Sequence, residues 1–280
     1  MTAISSRPVL LRRTEKVETT AFRRGAIGIV IFAAVWEFAT RLNGWVGIRV
    51  PLVAQLPPPS AVVVDFLKLA GSPGYWNSWS LSFQRVLAGF ALALIIGGTV
   101  GLLMATRPWF KRMAFPVFEC LRPIPPLAWV PIAIIFWPTQ ELSITFVTFL
   151  GALYPVVLNT VGGAEEIDRR HVLAAQSMGA SRSYIFRRVV FPALLPSLVT
   201  GAAVGMGITW EVVVAAELIS GGGRQSGDGG LGFLVWNAYE GNNLPRVVVA
   251  MISLGIAGYL SSGLVRALGN RLMPWRRVAS

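Results

Sequence analysis

Long, nearly uncharged apolar runs separated by shorter polar and basic intervals set the pattern of this chain. Crossing the hydrocarbon core takes about 20 helical residues. Runs of that order are expected at about 25–42, 81–106, 113–137, 142–159, 193–219 and 247–268. The expectation is an all-α polytopic membrane protein with six transmembrane helices. The second span carries Gly89, Gly97, Gly98 and Gly101, small residues that allow close helix packing. In the third, Pro116, Pro123, Pro125, Pro126 and Pro131 remove several backbone donors, so it must be kinked or broken. Broken backbone at membrane depth has to be buried in protein or line a wet cavity. The interval 193–219 is long but suits one tilted span.

The polar intervals carry elements of their own. Residues 1–24 read as a disordered or amphipathic arm. Gly44–Asn77 reads as an external stretch in which Pro57–Ser60 breaks any continuing helix, and Ser60 then caps a short helix over 61–70. Trp45, Trp76 and Trp79 suit the aromatic belt at the membrane surface. A glycine-rich loop, Gly221–Gly232, precedes a short aromatic helix at 233–239. The longest polar interval is Ala164–Pro192, read as two short helices joined by a break. Ile167, Val172, Leu173, Ala174, Ala175 and Met178 give the first an apolar face. Gly179 can adopt the left-handed conformation that ends a helix, and Ser181 can cap the next one, which carries Ile185, Phe186 and Val189. The organisation expected is therefore an arm (1–24), a first span with its external segment (25–79), a core (80–270) containing the 164–192 interval, and a basic tail (271–280).

Composition supports the membrane class. Apolar residues make up 54% of the chain and charged residues 14%, against about 25% charged in soluble domains. A net charge of +12 would suit a nucleic-acid binder, but its placement does not. Arg7, Arg12, Arg13, Lys16, Arg23 and Arg24 precede the first span, and Arg107, Lys111 and Arg112 separate the second from the third. Arg169, Arg170, Arg182, Arg187 and Arg188 lie in the long polar interval, and Arg266, Arg271, Arg276 and Arg277 follow the last span. Connections on the other side carry only Arg41, Arg49, Lys68, Arg224 and Arg246. This is the positive-inside pattern, with both termini cytoplasmic. No aromatic residues interleave a basic patch as single-strand binders require. The partner of the apolar surface is membrane lipid, and no nucleic acid is expected.

Few residues are candidates for chemistry. Cys120 and His171 are the single cysteine and histidine, which leaves no disulfide and no cysteine- or histidine-based metal cluster within one chain. An intramembrane protease needs a nucleophile with a base, or metal ligands, at membrane depth. His171 lies in a loop, no HExxH occurs and no aspartate pair lies in the spans. Carboxylates and arginines inside spans are functional candidates by default. Glu37 lies near the outer end of its span and reads as a packing or interfacial group. Arg122, in CLRPIPPLAWVP, either pairs with Glu119 one turn earlier or lines an anion pathway. Glu211 and Glu217 are six residues apart, about 600° of helical turn or about 120° around the axis, so they face different sides and cannot form a paired acid/base site. One can face a central pathway while the other pairs with Arg122 or a neighbour.

Leu173, Ala174, Ala175, Gly179, Val189 and Phe191-Pro192 follow the spacing of the cytoplasmic loop of ABC-importer permeases: Glu-Ala-Ala, three residues, Gly, nine residues, Ile, one residue, Leu-Pro. Leu173 stands for the Glu, Val189 for the Ile and Phe191 for the Leu. LRPIPPLAWVPIAIIF (Leu121–Phe136) resembles the third-span motif of the nitrate, sulfonate, taurine and bicarbonate importer permeases, with Arg122, Pro123 and Trp129 within it. TWEVVVAAELISGG (Thr209–Gly222) resembles their fifth-span motif at Trp210, Ala216 and Glu217, while Glu211 departs from it. GLGFLVWNAYEGNN (Gly230–Asn243) resembles the external helix of the nitrate and bicarbonate members, and the likeness runs from about Ser80 to Arg266.

The resemblance implies a type I ABC-importer permease fold, with the 164–192 interval as the coupling (EAA) loop. It implies two copies around one pathway in a bacterial inner membrane, two ATPase subunits below and a substrate-binding protein above. ATPase contact then falls on Ala174, Ala175, Ser177, Met178, Gly179, Ala180 and Ser181. The pathway residues are Arg122, Pro123, Trp129, Trp210, Glu211 and Glu217. The cargo implied is a small anion of the nitrate, sulfonate/taurine or bicarbonate type. ATP and magnesium belong to the partner ATPase, leaving no cofactor and no catalysis in this chain. ISGGGRQ (Ile219–Gln225) superficially resembles the signature motif of ABC ATPases, but it falls on the external side in a chain without a Walker A sequence. A carrier or channel working without ATP is the alternative, and it has no obvious use for the 164–192 elbow.

Overall fold

The computed structural model describes residues 10–46, 56–220 and 229–275, and among these every regular element is helical. Two compact units divide at Lys68 and Leu69, inside a helix, rather than at the expected 79/80. The first unit holds α1 (Leu10–Val46) and most of α2 (Pro59–Ala70). The basic arm thus continues the first span as helix from Leu10, and its first nine residues lie outside the described ones. So does the side chain of Trp45. Within the apolar window Arg23–Leu42 no residue is buried. Glu37 pairs with Arg41, and its Oε2 accepts from the Ser60 backbone N–H at 3.0 Å while Oε1 accepts from the Ser60 hydroxyl at 2.9 Å. Ser60 was expected to cap α2. Instead Glu37 supplies the anion, where backbone donors and the helix dipole favour negative charge.

The second unit is organised on α6 (Gln140–Glu165), which packs between α3 (Pro73–Thr106) and α9 (Phe191–Ser220). Against α9 lie α10 (Leu231–Glu240) and α11 (Leu244–Leu272). Val147 and Ala152 of α6 are buried in one cluster with Ala202, Met206 and Val213 of α9 and Val86 and Ala93 of α3, and Val157 in a second with Met104 of α3. Small residues bring the backbones together. A Cβ built at Gly201 would stand 2.7 Å from both the Pro155 carbonyl and Asn159 Cβ, and one at Gly101 would stand 2.7 Å from Thr160 Cβ. Gly98 has open space around it, so it is not part of this contact. Gly201→Ala is expected to push α9 off α6, costing about 1–3 kcal/mol as overpacking. A lower thermal midpoint of the purified chain measures it.

Among the described residues five helices are long and apolar enough to span a membrane, and a sixth crossing arises if the bent pair is one span. That pair is the proline-rich third segment. It consists of α4 (Pro108–Leu121), then a 3-10 turn (Pro126–Trp129) running into α5 (Val130–Phe136), with an 88° bend between the two halves. The expected break is present. The second span begins earlier than expected, at Pro73, and takes Trp76 and Trp79 into α3. Trp79 stacks on Phe83 at 5.9 Å, and Phe83 meets Trp210 edge-on at 5.0 Å. It is a packing residue as much as an interfacial one.

Candidate functional site

At one end of the bundle, Ser82 and Arg85 of α3 meet Glu141 of α6 and Glu217 of α9. Arg85 and Glu217 are buried, the latter completely. Arg85 donates from Nη1 to Glu217 Oε1 at 2.8 Å and from Nε to Glu141 Oε2 at 2.8 Å, and a second contact makes the Glu141 pairing bidentate. Such fork-to-fork geometry is what arginine adds over lysine. The arginine neutralises one of two carboxylates; helix ends face the remainder. Gly232 N–H donates to Glu217 Oε2 at 2.8 Å, and Leu231 N–H to Ser82 Oγ at 2.8 Å. Ser82 in turn donates to the Glu217 carboxylate at 2.8 Å. These are the first donors of α10, where a carboxylate is favoured. A Cβ at Gly230 would collide with that carboxylate, so the α10 entry is seated on Glu217. Residues 221–228 of the glycine-rich loop lie outside the described residues.

At the opposite end, α6 leads into an elbow made of α7 (Arg169–Ser177) and α8 (Arg182–Ile185). Asp168 caps α7 by accepting from Arg170 N–H at 2.8 Å. The helix stops as expected at Gly179, with φ +78°. Ala180 N–H reaches the Ala175 carbonyl at 3.0 Å and Gly179 N–H the Gln176 carbonyl at 2.9 Å, the paired bonds of a Schellman stop. Ser181 Oγ then accepts from Tyr184 N–H at 3.3 Å and starts α8. A π turn, Phe186–Val190, carries α8 into α9 without interruption. The wider turn falls just before Pro192, which has no N–H to give the next turn. Ala174, Ser177, Met178, Gly179 and Ser181 are exposed, whereas Ala175 is buried within the elbow and Ala180 half-buried. Leu173, Met178 and Tyr184 present apolar surface outward.

A hollow of about 640 Å³ opens beside the broken span and reaches the elbow end of α6, with Glu119, Arg122, Glu165, Glu166, Val204 and Ile208 in its wall. Arg122 and Pro123 are exposed. Arg122 lies 3.6 Å from Glu119, the pairing expected one turn earlier, and stands in the wall of this hollow. Glu211 is exposed on α9. The other expected pathway residues turn inward. Glu217 is closed into the Arg85 network, and Trp210 is buried with its indole N–H on Ser261 Oγ at 2.7 Å. Trp129 packs against the core around Leu150 and Leu153. Sequence reasoning missed Arg85, Glu141 and Ser82. An arginine inside an apolar run such as LSFQRVLAGF was the available signal, because a charge at that depth needs a partner.

Ionisable residues within membrane spans are rare and face the bundle interior or a water-filled cavity. The chain belongs to the family described as binding-protein-dependent transport system inner membrane component, whose pattern matches residues 93–274. It is 30% identical over 260 residues to the nitrate import permease protein NrtB of Synechocystis, covering 90% of this chain and 89% of that one. It is 33% identical over 225 residues to the taurine transport system permease protein TauC of Escherichia coli K12 (79% and 80% covered). Over 239 residues it is 33% identical to the bicarbonate transport system permease protein CmpB of Synechococcus elongatus (83% of each). In fold it is similar to a bacterial ABC transporter involved in import of the acidic polysaccharide alginate, at TM-score 0.57 and 11% identity, covering 93% of this chain and 99% of that one.

Proposed function

We propose that this chain is the membrane-spanning permease of an ATP-driven importer, two copies forming the pathway for a small solute with an anionic group, of the nitrate, sulfonate/taurine or bicarbonate type. A substrate-binding protein delivers the solute to the end bearing the Arg85 network, and two copies of a separate ATPase, which bind ATP and magnesium, engage the elbow. The elbow is cytoplasmic, as are both termini, in keeping with the Arg169, Arg170, Arg182, Arg187 and Arg188 cluster there.

The observation that carries this reading is the elbow itself. Capped at both helices and continuous with α9, it projects Met178 and Tyr184 into solvent on a rigid support. A carrier or channel has no use for such a lever. In proteoliposomes holding this chain, its ATPase and its binding protein, labelled nitrate, bicarbonate, taurine or a short alkanesulfonate is expected to accumulate only with ATP. Uptake that persists without ATP would overturn the importer reading in favour of a carrier or channel.

A further inference from the structure

The exposed residues through the middle of α9 fall in one stripe, Val204, Gly207 and Glu211. Glu211 follows Val204 by seven residues, about 700° of turn, so the two differ by only about 20° around the helix. Val204 and Ile208 stand in the wall of the hollow that holds Arg122. Glu211 lies on the same face, about 5 Å further along the axis than Ile208. Gly207, one turn before it, leaves open space, its nearest neighbour to a built Cβ being Ser262 Oγ at 3.8 Å.

The hollow carries one arginine, Arg122, against the carboxylates Glu119, Glu165 and Glu166, so its charges do not balance. Arg122 lies near Glu119, and Lys111 pairs with Glu165. Among the described residues no ion pair or hydrogen bond engages Glu211. A carboxylate in a span faces the bundle interior or a water-filled cavity rather than lipid, and Glu211 continues the α9 face that Val204 and Ile208 present to the hollow, one turn beyond its wall. A bare inorganic anion that is drawn to Arg122 would be repelled further along this face of α9 by Glu211. A solute carrying an amino group beside its anionic head meets a complementary charge at each point: Arg122 for the head, held only loosely by Glu119 at 3.6 Å, and Glu211 for the ammonium.

We infer that Glu211 is a charge-selecting residue of the pathway and that the cargo is a zwitterion, a small amino-bearing sulfonate or similar acid, rather than an inorganic anion. This rests on the permease reading above. Taurine and isethionate form the matched probe pair, alike except that one carries an ammonium where the other carries a hydroxyl. In proteoliposomes with the ATPase and one binding protein common to all arms, ATP-dependent taurine uptake is expected to exceed that of isethionate, nitrate or bicarbonate at least ten-fold. Glu211→Gln is expected to lower taurine uptake about ten-fold without lowering isethionate uptake, and Glu211→Asp to keep most of the preference. Because the binding protein is constant, a change between variants belongs to position 211. Unchanged taurine uptake by Glu211→Gln overturns the inference, as does the absence of ATP-dependent taurine uptake. ATP-dependent uptake of nitrate, bicarbonate or isethionate in preference to taurine overturns it while leaving the permease reading intact. Uptake without ATP overturns the permease reading instead.

Discussion

Exchanging Arg85 for methionine is expected to destabilise the bundle by about 3–5 kcal/mol, the cost of stranding one partner of a buried ion pair. Glu217 has no exposed surface and would be left among Ser82 and the first donors of α10 with no cation, either desolvated as an anion or forced to take up a proton. Glu141 is 61% exposed at its side chain and can turn to water, so the penalty falls on Glu217. A double variant, Arg85→Met with Glu217→Gln, is therefore expected to recover more than half of the loss. The amide still accepts from Gly232 N–H but carries no charge. Thermal unfolding of the detergent-purified chain reads both, with a drop of roughly 10 °C for the single variant. Equal midpoints for the single and double variants would show that the network acts through shape and not through charge.

The residues of this network also mark where sequence reading fell short. The spans and the elbow were legible because their signals are local. Hydropathy identifies a helix from its own residues, and the stop at Gly179 and start at Ser181 lie two residues apart. The proline-rich segment announced its break for the same reason. Partner choice is different. Arg85 and Glu217 are 132 residues apart, and the periodicity of one helix cannot say which other helix it meets. Hence Glu217 was expected in the pathway and is found sealed against Arg85, while Glu211, on a different side of the helix, takes the open face. Ser60 likewise looked like a cap, since the sequence gives no sign that Glu37, 23 residues earlier, reaches it.

Taken together, the two ends of the bundle describe a frame. Arg85 ties Glu141, in the first turn of α6, to Glu217, near the last turn of α9. The elbow joins the other ends of the same two helices, and small-residue contacts at Gly201 and Gly205 lock them in between. A pair of helices closed at both ends moves as one body. Under the proposed function, motion applied at the elbow by an ATPase would tilt α6 and α9 together and reach the α10 entry through Glu217, which is rigid-body alternating access.

Gly179 is the position where that transmission is most exposed to a single substitution. Its φ of +78° suits glycine, and a β-branched side chain there is strained by about 1–2 kcal/mol or more. No atom lies within 4 Å of a Cβ built at this site, so packing does not hold the new side chain against that strain. The backbone relaxes instead. Relaxation breaks the bonds from Gly179 and Ala180 to the end of α7 and re-aims α8 relative to it. Gly179→Val is thus expected to cut ATP-dependent uptake at least ten-fold while the isolated chain still folds, with a thermal midpoint close to wild type. Asparagine tolerates the left-handed region, so Gly179→Asn is expected to retain most of the transport. A valine variant that transports at the wild-type rate would show that the angle between α7 and α8 is not what couples the elbow to the spans. Equal loss in the valine and asparagine variants would instead assign the defect to added side-chain bulk at the contact surface, since both add a side chain but only valine opposes the turn.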